Sequence, residues 1–257
     1  MTKGVPGRRR VMAALLSASV VGACSRGPRL PGEVVVGSSP TGVPFSFVDP
    51  WTNKLTGSMI DAARTVLGAI ALEPSFAVVP FVALIPSLVT RKIDFVAAAI
   101  LRTPEREKVV AFSAPVLPYP AGLVVRSGDR GTYPDLPAVR NYRVGVQVGT
   151  RFFDQLQAAG VDRILTYESL SDVLRELSHG RIDAGYGDEP ILRYQLRVGP
   201  RRDARMVEEF RAPALEHLCF VLRKDDPILP RLNAEIERVR AMLVHDINQR
   251  WHLGAGT

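Results

Sequence analysis

Cysteine is nearly absent from the 257-residue chain, which holds only Cys24 and Cys219. Cys219 sits in the apolar run LCFVL and reads as a buried, inert thiol. Catalytic punctuation is missing as well. No HExxH, CxxC or GxSxG arrangement occurs, and His179, His217, His245 and His252 fall in no motif with a nucleophile or acid. Metal and acyl-transfer chemistry therefore have no visible support, and no metal, cofactor or catalytic residue is expected. Beyond the first two dozen residues no apolar run approaches the roughly 18 residues that a membrane helix needs, so the remainder is expected to be soluble. A dense basic stripe with interleaved aromatics is also lacking, which makes a nucleic-acid partner a weak reading.

What is present begins with a leader. RRR precedes an apolar stretch, Val11–Ala23, that is too short to span a bilayer, so residues 1–23 read as a signal peptide. The formal charge of +7 owes much to it. Removing Lys3, Arg8, Arg9 and Arg10 leaves 29 basic residues against 26 acidic ones, a net charge of +3. The leader ends in VGAC, which resembles the bacterial lipobox, where the cysteine is lipidated and becomes the mature N-terminus. Cys24 is then the expected lipid anchor, and the Gly-, Pro- and Arg-bearing SRGPRLPG completes a tether over 24–32.

The body alternates strand and helix patterns. EVVVGSS predicts a strand, and a Pro/Gly-punctuated loop, PTGVPFSFVDPWTNKLTG, leads to a helix over Ser58–Ile70. PSFAVVP reads as a strand, FVALIPSLVTR as an amphipathic helix, and IDFVAAAI as a strand covered on both faces. A second set follows: YRVGVQVGT, RFFDQLQAAG, RILTY, SLSDVLRELSHG and RIDAGYG, with both helices closed by glycine. LVTRKIDFVAA and LSHGRIDAGYG share their Leu, basic residue and Ile-Asp. The repeated order predicts an α/β protein of two βαβ-type lobes, each with a mainly parallel sheet between helices. From about Cys219 the chain adds a strand and a long helix, Pro230–Arg250.

Ligands of such sheets bind outside the carboxyl ends of the strands. Three polar loops leave strands there: LRTPER, VGTRFF and GDEPIL. The first poses a local puzzle. Helix starts favour acids, yet Arg106 follows the N-cap candidate Thr103 by three residues. Either Glu105 and solvent make it harmless, or it is aimed at an anion. Asp188 and Thr150 each have a good local explanation as helix N-caps, and Phe81 has one as ordinary core.

These blocks together, EVVVGSSPTGVPFSF, PFVALIPSLVTRKIDFVAAAILRTPEREKVVAFSAP, YRVGVQVGT and RIDAGYGDEP, resemble in order and spacing the extracytoplasmic solute-binding proteins of polar amino-acid ABC importers. RWHLG is similar to the family's C-terminal ending. The resemblance implies a type II periplasmic-binding-protein fold, with lobe 1 over 33–121 plus 219–257, lobe 2 over 122–218, and a two-strand hinge. It implies a monomeric receptor outside the cytoplasm, in periplasm or at the cell surface, held to the membrane only by its lipid. Its partners would be an amino acid or related carboxylate and the ABC permease subunits.

Carried onto this sequence, the T-x-x-R arginine that grips a ligand α-carboxylate is Arg106, and the acid of D-E-P that takes the α-ammonium is Asp188. Thr150 would offer hydroxyl and backbone N–H, Phe81 would cover the side chain, and Ala99 and Leu101 would offer backbone groups. Ser39 stands where relatives often carry an acid, Gly42 where an aromatic is common, and Ala98, Ala99 and Leu101 where hydroxyl residues are frequent. These departures point to a less polar, roomier first-lobe wall and away from strongly cationic ligands. Two other functions fit the same resemblance: a periplasmic enzyme of the cyclohexadienyl dehydratase type, with Asp188 or Glu189 as its acid, and an accessory or sensor protein whose ligand binding is altered or lost.

Overall fold

The computed structural model describes residues 1–2 and 32–251. The expected lipidation site Cys24, nearly all of the leader and tether, and His252, Leu253 and Gly254 of the RWHLG ending lie outside the described residues.

The chain enters through β1 (Glu33–Ser38), whose β-branched residues suit a pleated surface. Val34 and Val36 face one hydrophobic cluster and Val35 the other, so both faces are covered. A small antiparallel ribbon, β2 (Phe47–Val48) with β3 (Leu55–Thr56), precedes α1 (Ser58–Ala69) and β4 (Glu73–Val78). A 3-10 turn over Phe81–Ala83 leads into α2 (Leu84–Val89), β5 (Phe95–Val96), α3 (Pro104–Glu107) and β6 (Val110–Phe112). β7 (Leu117–Tyr119) carries the chain onward to β8 (Ala121–Val125), β9 (Arg143–Gln147), α4 (Arg151–Ala158), β10 (Arg163–Tyr167) and α5 (Leu170–Ser178). Next come β11 (Ala184–Asp188), α6 (Glu189–Val198) and β12 (Arg205–Met206). Finally β13 (Glu216–Leu218) leads back to β14 (Val221–Arg223) and the long α7 (Leu229–Trp251).

Two five-stranded sheets result. The first runs β4-β1-β5-β14-β6, with β1 parallel to β4 and β5, and β14 antiparallel to both of its neighbours. The second runs β10-β9-β11-β8-β12, with β9, β10 and β11 parallel and β8 antiparallel between β11 and β12. The chain crosses between the sheets twice, and the two crossing strands, β7 and β13, pair antiparallel with Tyr119 opposite Glu216.

Helical periodicity explains the cover. α5 buries Leu170, Val173, Leu174 and Leu177, one stripe at i, i+3, i+4 and i+7, and Ser169 caps its start by accepting from the Asp172 amide at 3.1 Å. α7 buries Leu232, Ile236, Val239, Leu243 and Ile247, and its end is pinned where the Trp251 indole donates to Asp61 on α1 at 3.0 Å. Two expected elements differ. IDFVAAAI forms only the two-residue β5: Ala97 still donates to the Gly37 carbonyl at 3.1 Å, and the residues after it lead out of the sheet to α3. FVALIPSLVTR divides into a 3-10 turn and a six-residue helix; Pro86, which has no N–H to give, sits in the first turn of that helix.

Gly57 sets the join of loop and α1. Its φ of +127° is a region essentially reserved for glycine, and an added Cβ would lie 2.4 Å from the Phe45 carbonyl oxygen. That carbonyl and its neighbour on Pro44 accept from the Met59 and Ser58 amides at 2.9 Å each, satisfying the first turn of the helix. Gly57→Ala is therefore expected to cost about 2–4 kcal/mol, read as a lowered urea midpoint with an unchanged slope.

Candidate ligand-binding site

Arg106 lies in α3, a single turn capped at its start by Thr103, whose hydroxyl accepts from the Arg106 amide at 3.2 Å, with Pro104 at the first helical position. The local puzzle resolves through the side chain, which reaches back past the helix start to backbone carbonyls. One guanidinium nitrogen donates to the Leu101 carbonyl at 2.5 Å, and the other donates to the Gly149 carbonyl at 2.8 Å. Gly149 belongs to the loop after β9, so Arg106 bridges a first-sheet loop and a second-sheet loop. Among the described residues no carboxylate ion-pairs with it. Burial holds its pKa below the usual arginine range, Asp154 partly offsets that, and Arg151 adds to it.

Gly149 is suited to this close approach. Its φ is +72°, and a Cβ there would lie 2.8 Å from Val82 Cγ1 and 4.0 Å from Phe81 Cδ1. Phe81, half-buried at the start of its 3-10 turn, thus stands beside the same loop. Thr150 occupies the N-cap position of α4, but its hydroxyl makes no cap bond. It donates instead to the Gln147 carbonyl at 2.8 Å. Ser39 is buried, its hydroxyl shared with Thr41 at 3.1 Å, and Gln147 reaches from β9 to donate to that same Thr41 oxygen at 3.1 Å. Ala98 and Leu101 are packed in the hydrophobic clusters, and Ala99 is half-buried against one. At Gly42, where the wall was expected to be roomier, an added Cβ would meet Ile191 Cδ1 of α6 at 3.2 Å.

Arg106, Leu101, Phe81 and the loop of Gly149 and Thr150 are therefore brought together, with Ser39 joined through Thr41 and Gln147. Asp188 sits at the β11–α6 corner. It is the N-cap residue of α6 but makes no side-chain cap bond. Only 4% exposed, its carboxyl is pushed up to about 7 by burial, an effect the Tyr119 hydroxyl beside it partly offsets.

Sequence reasoning missed several side chains. Arg151, directly after the Gly-Thr pair, donates to the Arg102 carbonyl at 2.9 Å and to the buried Glu216 on β13 at 3.0 Å. Gln147 and Tyr119 carry no local signal, since only the tertiary fold places them. A cavity of about 1020 Å³ opens between α6, β12 and the crossing strands; Glu189, the alternative acid of the enzyme reading, lines it, and none of the expected ligand-binding residues does. Among the described residues no group of His, Cys, Asp and Glu could hold a metal ion, and no helix is long and apolar enough to cross a membrane.

Two sheets joined by two crossing strands, with polar loops meeting between them, define a type II periplasmic-binding-protein fold. The sequence model of the bacterial extracellular solute-binding proteins, family 3, matches residues 34–254, and the chain belongs to that family. It is 29% identical over 195 residues to the ABC transporter arginine-binding protein 1 of Escherichia coli K12, covering 76% of each chain. Among solved structures, a mutant of ArgBP from T. maritima superposes with a TM-score of 0.77 at 27% identity, covering 86% of this chain and 96% of the other. An ancestral amino acid-binding protein, AncCDT-1, described as a precursor of cyclohexadienyl dehydratase, gives 0.76 at 26% identity, with coverage of 86% and 96%.

The Asp188 carboxyl has a stability consequence. Its folded pKa near 7 lies above the unfolded value near 3.9, so between those values the folded chain holds a proton that the unfolded chain has lost. Its contribution to stability falls as pH rises from about 4 to 7 and is flat above. Asp188→Asn should therefore raise ligand-free stability at pH 8 by on the order of 2–4 kcal/mol, with no gain below pH 4, measured by denaturant titration at both pH values.

Proposed function

We propose that the chain is the capture receptor of an amino-acid ABC importer, holding a small zwitterion between two lobes and delivering it to a permease. The observation that carries this reading is Arg106, a half-buried guanidinium that spans two loops with backbone carbonyls, not a carboxylate, as its partners. A ligand carboxylate offers two charged acceptors matched to the guanidinium edge and displaces the weaker contact to Gly149. The N-terminal turn of α4 at Thr150 supplies further donors. Asp188 receives the ammonium, Phe81 covers the side chain, and backbone at Ala99 and Leu101 with the Ser39 loop completes the wall.

The lobes would be 33–121 plus 219–257 and 122–218, turning on β7 and β13. Closure then follows from contacts that the ligand makes to the second lobe only in the closed form. A lipid on Cys24 keeps the monomeric receptor at the extracytoplasmic membrane face. Ser39 in place of an acid, and Ile191 against Gly42, favour neutral or apolar side chains over arginine.

A panel of the twenty L-amino acids at 1 mM should raise the melting temperature by several degrees for a neutral member, and by less for arginine, through mass action. Arg106→Ala should abolish the shift while changing the ligand-free unfolding free energy by no more than about 1 kcal/mol. An unchanged shift in the variant would sink the carboxylate clamp.

One observation favours an enzyme as the second reading. A buried carboxyl titrating near 7 is what a general acid needs. Incubation with prephenate or arogenate is expected to give no aromatic product, and turnover lost in Asp188→Asn would reverse the order of the two readings.

A further inference from the structure

Tyr119 ends β7, and Pro120 separates it from β8. Across the second sheet Ala121 pairs with Asp188, and the Glu189 amide donates to the Pro120 carbonyl at 3.1 Å. The crossing strand is thus stitched to the corner that bears Asp188. The Tyr119 ring is fully buried and meets Phe45 edge-on, with centroids 4.9 Å apart. Among the described residues its hydroxyl has no hydrogen-bond partner of ordinary geometry, and burial, then the Asp188 carboxyl beside it, raises its pKa. A donor without a partner and an acceptor without a cap bond are therefore buried side by side. Each is costly alone, and a third, cationic group on the carboxylate would draw the pair into contact.

We propose that Tyr119 is a positioning residue for Asp188: its hydroxyl donates to one carboxylate oxygen and leaves the other for the ligand's ammonium group. This rests on the reading that Asp188 receives that ammonium. It extends the site from the loops into the crossing strand, so that ligand contact and the segment on which the lobes turn share one hydrogen bond. The other ionisable groups around the corner are committed elsewhere. The Tyr186 hydroxyl donates to Gln155 at 2.6 Å, and Glu189 pairs with Arg193 at 2.6 Å. Tyr119 is then the side chain available to hold the carboxylate in its ionised form.

The test is calorimetric affinity from pH 5.5 to 9.5 for the L-amino acid, of the twenty, that stabilises the parent chain most. Tyr119→Phe keeps the ring against Phe45 and deletes only the hydroxyl. The expected result is affinity weakened about tenfold at pH 6.5 and much less at pH 9, with the acid limb of the profile moved up by about one pH unit. Phe45→Leu loosens the same packing without touching the hydroxyl, and its effect should not vary with pH. A wild-type profile in Tyr119→Phe, or an equal shift in Phe45→Leu, overturns the proposal. Asp188→Asn separates the two levels. If it binds as tightly as the parent, or if the parent binds none of the twenty, the ammonium reading itself fails. If Asp188→Asn loses binding while Tyr119→Phe is unaltered, only the role of Tyr119 falls.

Discussion

Much of the site turns on one half-buried cation that must find acceptors. Arg106 finds them in the carbonyls of Leu101 and Gly149, which lie on loops of different sheets. A guanidinium held by neutral dipoles satisfies its geometry but not its charge. Around this contact the interface is tuned for closeness. Gly149 has no side chain to keep Val82 away, Gln147 reaches Thr41, and Arg151 reaches the Arg102 carbonyl. These contacts are polar, few and partly exposed, which suits surfaces that must separate and meet again.

The crossing strands supply the complementary constraint. β7 and β13 are short, paired to each other, and loaded with buried groups: Tyr119 on one, Glu216 on the other. Glu216 accepts from Arg151 and Gln155 of α4, so a second-sheet helix is ion-paired to the returning strand. A movement about these strands would be felt at once by Arg151 and by the Tyr119–Asp188 corner. In the proposed function, motion and ligand contact are then coupled, since the same few residues would serve both.

Most of the fold was legible because it is written in periodicity. α5 and the β-branched β1 announce themselves locally, and the repeated order of elements predicts two sheets. The errors fall where tertiary position overrides a local pattern. IDFVAAAI looks like a strand throughout, yet only Phe95 and Val96 are paired as a strand, and beyond Ala97 the chain continues as a loop. Arg106 was legible as an anomaly, a cation where a helix start wants an anion. Asp188 and Thr150 were also visible, but a good local account as caps competed with any other, and neither side chain makes its cap bond in the fold. Tyr119, Gln147 and Ile191 were not legible at all, because a buried tyrosine, a strand glutamine and a helix isoleucine are ordinary until the second sheet meets the first.

The buried Asp188 shows why such a corner would persist. A carboxyl out of water, with one imperfect donor beside it, costs the ligand-free chain stability at neutral pH. Replacing it by a neutral residue of the same shape is the easy improvement, and an architecture shaped for stability alone would adopt it. Local rules tend to be broken in this way at sites of function. Here the break is paired with its opposite, a guanidinium without a carboxylate among the described residues. A guanidinium without a carboxylate and a buried carboxyl without a cation, among the described residues of one fold, match the carboxylate and ammonium that the proposed ligand carries side by side on its α-carbon.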